Sequence, residues 1–549
     1  RPDETEIVPR VLLFFTGDLN PRFFHYPSLY FYVVGVVYAV WAGLLAVGGQ
    51  PLAETLAAAA VDLSPFILLA RGVSVAAGVA TVGVLYLLGK ALGGVRVGLV
   101  AALFLAVAPL HVRDAHFATT DVVLTLFLTL SAVFALHALR TGHVRDYALA
   151  GACSGLAVSA KYVGLVMPGV ITATWLLSQP APAFTNPVRL LGEALRDRRT
   201  WAYTCAMLGA FVVTSPYANL DWPLFTAHFG FQLGHLAGGH GYPMGIGGTY
   251  HPRFTLPLST GWPVYLTGLV GAGMAVRAGW KEAAVLLSFP LLFYASTFSS
   301  QTLFLRYMLP VVPFVCLFAA YCVVRTVEAR TPEPARTAVL AAVLLLFVAE
   351  PLSRDVAMNR LLGRTDARVL AAEWLQERAG PGTHDVFQTG SMWHHPELTP
   401  PRVQYNHLEL PGPEEEYAEA VRRLEVPTLS PAIQKRRDYR RMQAEARRDA
   451  ARVRGIGFTA IDSVALRAGA RPEYIVVLES DLITYARVAD WTRAVVAEEY
   501  DEVHHTSGAS PGSGGWYDQH DAFFVPFAGL SGIDRPGPDV TIYRRRESP

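Results

Sequence analysis

The chain has 549 residues, of which 52% are hydrophobic and 17% are charged, and its formal net charge is +1. Soluble domains carry about a quarter charged residues, so this balance excludes a purely soluble protein and requires lipid to cover apolar surface. The near-neutral charge gives no reason to expect a nucleic-acid partner. Long apolar runs end near residue 353, so we predict a membrane domain at 1–353 and a water-facing domain at 354–549.

Ten apolar segments are predicted to cross the membrane, several of them as short arms of tight hairpins. They cover residues 66–89, 95–112, 119–139, 147–160, 163–178, 202–216, 261–279, 282–298, 305–324 and 336–353. The chain starts without Met or a preceding apolar run, so we expect an initial transmembrane helix to precede residue 1. All four cysteines lie in apolar runs, which is typical of buried thiols and not of a disulfide framework.

Residues 28–48 form a further apolar segment, and the loop charges indicate whether it crosses. If it does not cross, thirteen Lys and Arg residues fall in one set of alternate loops, whereas the other set holds only Arg113, Lys161, Arg253 and Arg306. We therefore predict that residues 28–48 lie at the outer interface or dip in without crossing. An ordinary span remains the alternative. The N-terminal 27 residues and the C-terminal domain then share the outer, extracytoplasmic side.

Polar residues of unusual placement begin with Asp3 and Glu4, followed by a Pro-rich aromatic stretch that contains His25 and Tyr26. An acidic pair at the start of a chain is often only a solvated terminus or a helix cap. The aromatic surroundings favour a functional interpretation, in which these four residues contact substrate.

A second cluster, at residues 111–121, lies between two apolar runs and contains Arg113, Asp114, His116 and Asp121. Ionisable groups at membrane depth are costly, so such a cluster predicts a functional site. Asp121 also fits the first turn of the next helix, where the helix dipole favours an acid, and a purely structural Asp114 remains open.

Two cations on the predicted outer side, Lys161 and Arg306, run against the charge bias. Cations at helix ends often extend to the headgroups, but here they also suit a lipid-linked phosphate. Tyr217 and Tyr307 are further predicted substrate contacts.

The predicted outer loop from Ser215 to Pro257 contains four histidines, at positions 228, 235, 240 and 251. Their spacing matches no compact metal-ligand pattern, so we favour a flexible lid over a sugar site. A zinc site is the alternative, and a divalent metal ion elsewhere in the site stays open.

The order of these motifs resembles the lipid-carrier-dependent glycosyltransferases of the GT-C fold. An acidic pair precedes a Pro-Ser-Leu-Tyr turn, then Arg-Asp-x-His, Thr-Asp and Arg-Tyr follow, over nearly all of residues 1–353. Glycosyltransferase family 39, the protein O-mannosyltransferase group, is the nearest resemblance, and the lipid A aminoarabinose transferase is a cousin. The resemblance implies a mainly α, polytopic transmembrane fold with a small extracytoplasmic α/β domain.

The resemblance also implies that Asp3 takes the position of the family's acidic residue, held against donor and acceptor. His25-Tyr26-Pro27-Ser28 departs from the Lys-Pro-Pro or His-Pro-Pro of relatives, which moves the phosphate-binding task toward Lys161 and Arg306.

We predict an inverting transfer from a polyprenyl-phosphate sugar to a hydroxyl or amine of a protein, lipid or glycan acceptor. Asp3 is the predicted base, Glu4 and Asp114 position the acceptor or a metal ion, and Arg113 assists the phosphate. The rival interpretations are a transporter or flippase of lipid-linked sugars and a non-catalytic sensor.

In the C-terminal part, Ala371–Leu375 predicts a helix, and residues 474–478 and 540–543 predict strands of an α/β domain. Residues 434–454 are predicted to form a solvated helix and 507–515 a flexible loop.

Overall fold

The computed structural model describes most of the chain. The described residues are 2–51, 54–55, 62–180, 186–238, 244–378, 386–391, 396, 403–405, 418, 421–422, 441, 469, 471–483, 485–509 and 511–547. They form two compact units, Arg1–Asp355 and Val356–Pro549. The predicted division into folding domains at residue 354 stays a prediction. The predicted helix at 434–454 lies outside the described residues except for Arg441.

The first unit is almost entirely helical. Its α-helices are α1 Pro2–Leu13, α2 Leu29–Val47, α3 Ser64–Gly93, α4 Val95–Ala106, α5 Pro109–Ala115, α6 Thr120–Thr141, α7 Val144–Ala160, α8 Met167–Leu177, α9 Pro187–Arg196, α10 Arg198–Thr214, α11 Tyr217–Leu220, α12 Trp222–Gly238, α13 Gly247–Tyr250, α14 Leu256–Thr260, α15 Trp262–Ala278, α16 Trp280–Thr297, α17 Val312–Arg330 and α18 Glu333–Leu362. Short 3₁₀ segments cover Phe14–Thr16, Tyr162–Val166 and Leu305–Val311, and a π-helical turn covers His251–Thr255.

Within the described part of the chain, five helical segments are long and apolar enough to cross a membrane, or six if one bent pair is a single span. They are Leu29–Val47, Ser64–Gly93, Thr120–Thr141, Leu305–Arg330 and Glu333–Arg378, with α4 and α5 as the pair bent by 60°. The remaining predicted spans coincide with shorter helices. The chain is a multi-pass membrane protein, while the count of ten spans stays a prediction.

Helix α2 is hydrogen bonded to the beginning of α3. The Tyr30 hydroxyl donates to the carbonyl of Ala70, and the Tyr38 hydroxyl donates to that of Phe66. These two bonds show that α2 and the beginning of α3 run antiparallel. This arrangement is compatible with the predicted interfacial position of residues 28–48, which stays a prediction.

Close helix packing depends on small residues in α7. Gly151 and Gly155 are one turn apart, and a Cβ atom at either would overlap the carbonyl oxygen of Tyr203 or Met207 on α10. Small residues at this spacing let membrane helices approach closely. The pairing of Gly151 with Tyr203 and of Gly155 with Met207 also shows that α7 and α10 run parallel.

The second unit is a small α/β unit. Its helices are α19 Ala367–Arg378 and α20 Asp490–Glu499, and its strands are β1 Val386–Ser391, β2 Val403–Tyr405, β3 Tyr474–Glu479, β4 Ala486–Arg487, β5 Tyr500–Thr506 and β6 Asp539–Arg545. The strand order is β2-β1-β3-β6-β5, with β4 paired to β1. The β1–β2 and β1–β3 pairs are parallel, and β6 pairs antiparallel with β3 and β5.

Strand β3 lies at the centre of this sheet, which explains its unbroken apolar run. Val476 and Leu478 pack with Ala371 and Leu375 on one face, whereas Ile475 and Val477 pack on the other. Successive strand residues point to opposite faces, so both faces of the sheet are covered. The helix and both strands predicted in this region are confirmed. The described residues of 507–515 belong to no named strand, and Ala509 forms an isolated bridge with Pro538.

Candidate active site at one end of the helical unit

Helix α1 brings two carboxylates to the site from its first turn. Asp3 and Glu4 lie in the first described turn of α1. Ile7, Val8 and Val11 are fully buried and fix the helix against the unit. The predicted acidic pair is thus part of an ordered, packed helix and not a solvated terminus.

A cluster of alternating charges forms around Asp3, and we call Asp3, Arg306, Asp121 and Lys161 the charged cluster. Arg306 Nη1 lies 3.2 Å from Asp3 Oδ2, and Arg306 Nε lies 4.0 Å from Asp121 Oδ2. Lys161 Nζ lies 2.6 Å from Asp121 Oδ1. Two anions and two cations from four separate segments therefore converge, although they are far apart in sequence.

Each member of the charged cluster lies at the end of a helix. Asp121 is in the first turn of α6, Lys161 ends α7 in an extended conformation, and Arg306 lies in the 3₁₀ segment before α17. Lys161 forms a buried ion pair with Asp121. Charged side chains at helix ends can meet without disrupting the backbone hydrogen bonds of any helix.

Two tyrosines border the charged cluster. The Tyr26 hydroxyl donates a hydrogen bond of 3.0 Å to Asp3 Oδ1. Burial, and next the negative charge of Asp3, raise the pKa of Tyr26, so the phenol keeps its proton and acts as the donor. Lys161 Nζ lies 4.8 Å from the centroid of the Tyr307 ring, a cation–π contact.

Glu4 has a different setting from Asp3. Arg71 donates to both of its carboxylate oxygens, at 2.7 and 2.8 Å, and the N–H of Ala118 donates to Oε1 at 2.9 Å. Burial alone would raise the pKa of Glu4, but the hydrogen bonds and charge of Arg71 lower it to about 2. Both oxygens of Glu4 accept hydrogen bonds, so Glu4 fixes α1 to α3. Its role in positioning an acceptor or a metal ion stays a prediction.

The sequence interpretation missed Arg71. A single arginine inside the apolar segment 66–89 was the available signal, because an ionisable residue within a membrane segment indicates a partner or a function. Its partner Glu4 lies 67 positions earlier in the chain.

Arg113 and Asp114 lie on the short helix α5 and are both buried, exposing 1% and 0% of their surfaces. The predicted contact of Arg113 with a phosphate and the two alternatives for Asp114, catalytic or structural, stay predictions. His116 Nδ1 bonds to the carbonyl of Val112 at 2.7 Å, within its own turn. Tyr217 is half-buried, and among the described residues no hydrogen bond joins its side chain to the charged cluster.

His25 packs against helix α12. Its ring stacks on that of His228 at 4.3 Å between centroids, and its Nδ1 lies 3.2 Å from Gln232 Nε2. His228 Nδ1 accepts the N–H of Phe24 at 2.9 Å. Burial is the main reason that the pKa of His25 is lowered to about 3 and that of His228 to about 4, so both rings are neutral near pH 7.

The segment predicted as a flexible lid contains several helices, and its role as a lid stays a prediction. Its described residues are mostly helical, in α11, α12, α13 and α14. Aromatic side chains pack α12 against other parts of the unit: Phe225 contacts Phe24 and Tyr162. His235 stacks on Phe231, His251 bonds to Thr255, and His240 lies outside the described residues.

The side chains of the described residues bear on the divalent metal ion, which stays a prediction. They contain no group of three or more His, Cys, Asp or Glu placed to hold an ion. The carboxylates of Asp3, Glu4 and Asp121 are already bonded to Arg306, Arg71 and Lys161.

The helical unit has the GT-C fold, and comparisons with known proteins agree with it. Residues 51–219 match the family described as dolichyl-phosphate-mannose-protein mannosyltransferase. That match covers less than half of the chain and includes Arg71, Asp121 and Lys161 but not Asp3 or Arg306. No curated protein matches the chain by sequence.

Solved structures share the fold at low identity. ArnT from Cupriavidus metallidurans in the apo state is 14% identical, with 98% of this chain and 92% of that chain covered and a TM-score of 0.50. The same protein bound to undecaprenyl phosphate is 14% identical, with 99% and 93% covered and a TM-score of 0.49.

The Archaeoglobus fulgidus oligosaccharyltransferase in complex with Zn and sulfate is 12% identical, with 67% of this chain and 52% of that chain covered and a TM-score of 0.40. In its apo form, 58% of that chain is covered. The chain thus spans little more than half the length of these oligosaccharyltransferase structures. The predicted GT-C fold is confirmed.

Proposed function

We propose that this protein is a glycosyltransferase that moves a sugar from a polyprenyl-phosphate carrier to an acceptor hydroxyl or amine, with inversion at the anomeric carbon. The charged cluster carries the proposal, because it offers a carboxylate base next to two cations at one end of a membrane unit. The description of the family matched by residues 51–219 names a dolichyl-phosphate-linked mannose and a protein acceptor, which supports this class of donor.

Lys161 and Arg306 are the proposed partners of the donor phosphate. Both are mostly buried, exposing 15% and 7% of their side chains, and both are paired with carboxylates. A phosphate that enters the cluster exchanges these partners for its own oxygens. Its negative charge grows as the sugar–phosphate bond breaks, so cations held in a dry site stabilise the transition state more than the ground state.

Asp3 is the proposed general base. Tyr26 holds Oδ1, and 15% of the Asp3 side chain is exposed, so an acceptor can reach it. When the phosphate engages Arg306, Asp3 Oδ2 is released from its ion pair and accepts the proton of the acceptor. The acceptor's oxygen or nitrogen forms the new bond to the anomeric carbon, while the electron pair of the broken bond leaves with the polyprenyl phosphate.

The pair of Glu4 and Arg71 is proposed to position Asp3. Glu4 is the next residue in the same helical turn, and it is anchored to α3 and to the backbone at Ala118. The Ala118 N–H lies between α5 and α6, where the break between helices leaves a donor to be satisfied. Fixing Glu4 therefore limits how far Asp3 can move relative to Arg306.

An extracytoplasmic location of the site and of residues 354–549 is also proposed. It is supported by the distribution of loop cations. One set of alternate loops contains thirteen Lys and Arg residues, which the positive-inside rule assigns to the cytoplasm, whereas the set on the side of the site contains four. The flippase alternative is less well supported, because the cluster lies at helix ends and not near the middle of the spans.

Replacement of Asp3 by Asn tests the assignment of the base. The Asn side chain keeps the shape and the contact with Tyr26 but cannot take a proton, so we expect transfer to fall by roughly 10²-fold or more. Purified wild type, Asp3→Asn and Glu6→Gln are incubated with a panel of radiolabelled polyprenyl-phosphate sugars. Glu6 is exposed on the same helix and serves as the control. Near-normal turnover of Asp3→Asn would overturn the assignment.

A further inference from the structure

Helix α9 exposes a row of apolar side chains outside any core. Val188, Leu191 and Leu195 expose 79%, 61% and 58% of their surfaces, and none of the described residues of this helix is buried. Their spacing of three and four positions places them on one face. An apolar face of this kind is unstable in water and requires an apolar environment.

A basic face adjoins the apolar row of α9. Arg189 and Arg196 lie about a third of a turn away from the apolar row, and exposed Arg198 follows at the start of α10. Glu193 pairs with Arg189 at 2.9 Å, so the segment keeps an excess of positive charge. A short helix with an apolar face and a basic face is typical of segments that lie in the membrane interface.

The position of α9 in the unit agrees with this interpretation. Helices α7 and α10 run parallel, and Thr214 near the end of α10 donates to Ser159 near the end of α7. Lys161 of the charged cluster follows directly, whereas α9 joins the opposite end of α10. The 17 residues of α10 span about 25 Å, close to the thickness of a bilayer core. Helix α9 therefore lies near the membrane face opposite the charged cluster.

A rigid junction holds α9 at that face. Asp197 is the only residue between α9 and α10, and its carboxylate accepts hydrogen bonds from the N–H of Arg199 at 2.8 Å and from Trp175 Nε1 at 2.7 Å. Trp201 is exposed, and its Nε1 donates to the carbonyl of Leu195. Tryptophan is enriched at membrane interfaces, where its ring contacts lipid and its N–H stays hydrogen bonded.

We infer that α9 is a membrane-surface helix that binds the headgroups of anionic phospholipids. Val188, Leu191 and Leu195 enter the acyl region of the leaflet, while Arg189, Arg196 and Arg198 contact lipid phosphates above it. Charge complementarity selects the occupant, since basic residues beside a membrane bind anionic headgroups more strongly than zwitterionic ones.

Lipid retention tests the basic face. Wild type and the variant Arg189→Gln/Arg196→Gln/Arg198→Gln are purified from bilayers of mixed phosphatidylcholine and phosphatidylglycerol, and bound lipid is counted by native mass spectrometry. We expect the preference of wild type for phosphatidylglycerol to fall roughly tenfold in the variant. The control Arg145→Gln/Arg277→Gln/Arg330→Gln removes three exposed arginines outside α9 and should keep the preference. Equal losses in both variants would overturn the inference.

An excess of soluble glycerophosphoglycerol distinguishes a lipid surface from a simple phosphate site. It should leave the bound phosphatidylglycerol in place, because the acyl chains contribute to binding. Displacement by the soluble headgroup alone would contradict the inference.

Spin labels test the apolar face in proteoliposomes. In a Cys205→Ser background, which removes the exposed cysteine, Leu191→Cys should be more accessible to oxygen than to a water-soluble nickel chelate. Glu193→Cys on the polar face should give the opposite ratio. Nickel access that is equal at the two positions would show that α9 lies in water. These tests do not depend on sugar transfer.

Discussion

The two ends of the helical unit use charge in different ways. At the end with Asp3, the ions are few and mostly buried, and their partners lie far away in sequence, as in the pairs Glu4–Arg71 and Asp121–Lys161. At the other end, the cations are numerous and largely exposed, and several have partners only three or four positions away, as in Arg189–Glu193 and Arg325–Glu328.

The comparison separates charges that orient the protein from charges that form a site. Exposed pairs contribute little because water and salt screen them and their side chains lose entropy on pairing. Buried pairs cost desolvation, so they persist only where their geometry is well supported. The number of cations thus predicts which end of the unit faces the cytoplasm. Buried ion pairs between residues far apart in sequence mark the candidate active site.

The largest expected effect is on catalysis at the buried end. Lys161→Met removes the ammonium that we propose meets the donor phosphate, so kcat should fall roughly 100-fold or more. Lys281→Met, an exposed residue with its charge over Trp280, serves as the control and should be near normal. The measurement is steady-state kinetics of the purified variants with lipid-linked sugar. A rise in KM at unchanged kcat would mean that Lys161 binds donor and transition state equally.

The next effect concerns stability at the same end. Glu4→Gln leaves Arg71 with a neutral partner, and because the Glu4 side chain is 2% exposed while that of Arg71 is 34% exposed, we expect a loss of about 2 kcal/mol. Reversible denaturation in detergent measures the free energy of unfolding. Glu6→Gln on the same helix should change it by less than about 0.5 kcal/mol. Equal effects of the two variants would remove the distinction between buried and exposed acids of α1.

A smaller effect should follow pH through His228. Its pKa is lowered to about 4 in the folded protein, mainly by burial, so the unfolded chain binds more protons between about pH 6.5 and pH 4. Stability is therefore complete above pH 6.5 and is lost as the pH falls through this range.

His228→Asn keeps an acceptor for the Phe24 N–H but does not titrate. Unfolding curves of wild type and variant at several pH values should show a weaker acid destabilisation in the variant, by up to about 1.4 kcal/mol for each pH unit. Parallel pH dependences would contradict the assigned role of His228.

The smallest effect is expected at the exposed end. Arg96 and Glu328 lie 3.2 Å apart with half of the Arg96 side chain exposed, so Arg96→Gln should change the unfolding free energy by less than about 1 kcal/mol. Transfer activity should stay at the wild-type level. A strong loss of activity would show that charge at this end also serves the site.

Much of the site was visible in the sequence because isolated polar residues between apolar runs are conspicuous. Asp3, Asp121, Lys161 and Arg306 were all predicted and do converge. Arg113 was predicted on the same reasoning, and its role in the site stays a prediction. Unusual placement identifies a residue that needs partners without identifying those partners. Helix α12 was mistaken for a loop because glycines and histidines obscured its packed aromatic residues.

The sequence by itself determined where the apolar helices and the central strand of the sheet lie, because hydrophobic burial depends on runs and periods of neighbouring residues. It also determined which charges are too costly to lie in lipid unassisted. Only the tertiary structure decided that Glu4 pairs with Arg71 and Lys161 with Asp121. It also decided that Asp3 and Asp121 both lie near Arg306. Ion pairing depends on distances of a few ångströms between residues far apart in the chain, and those distances exist only after the helices have packed.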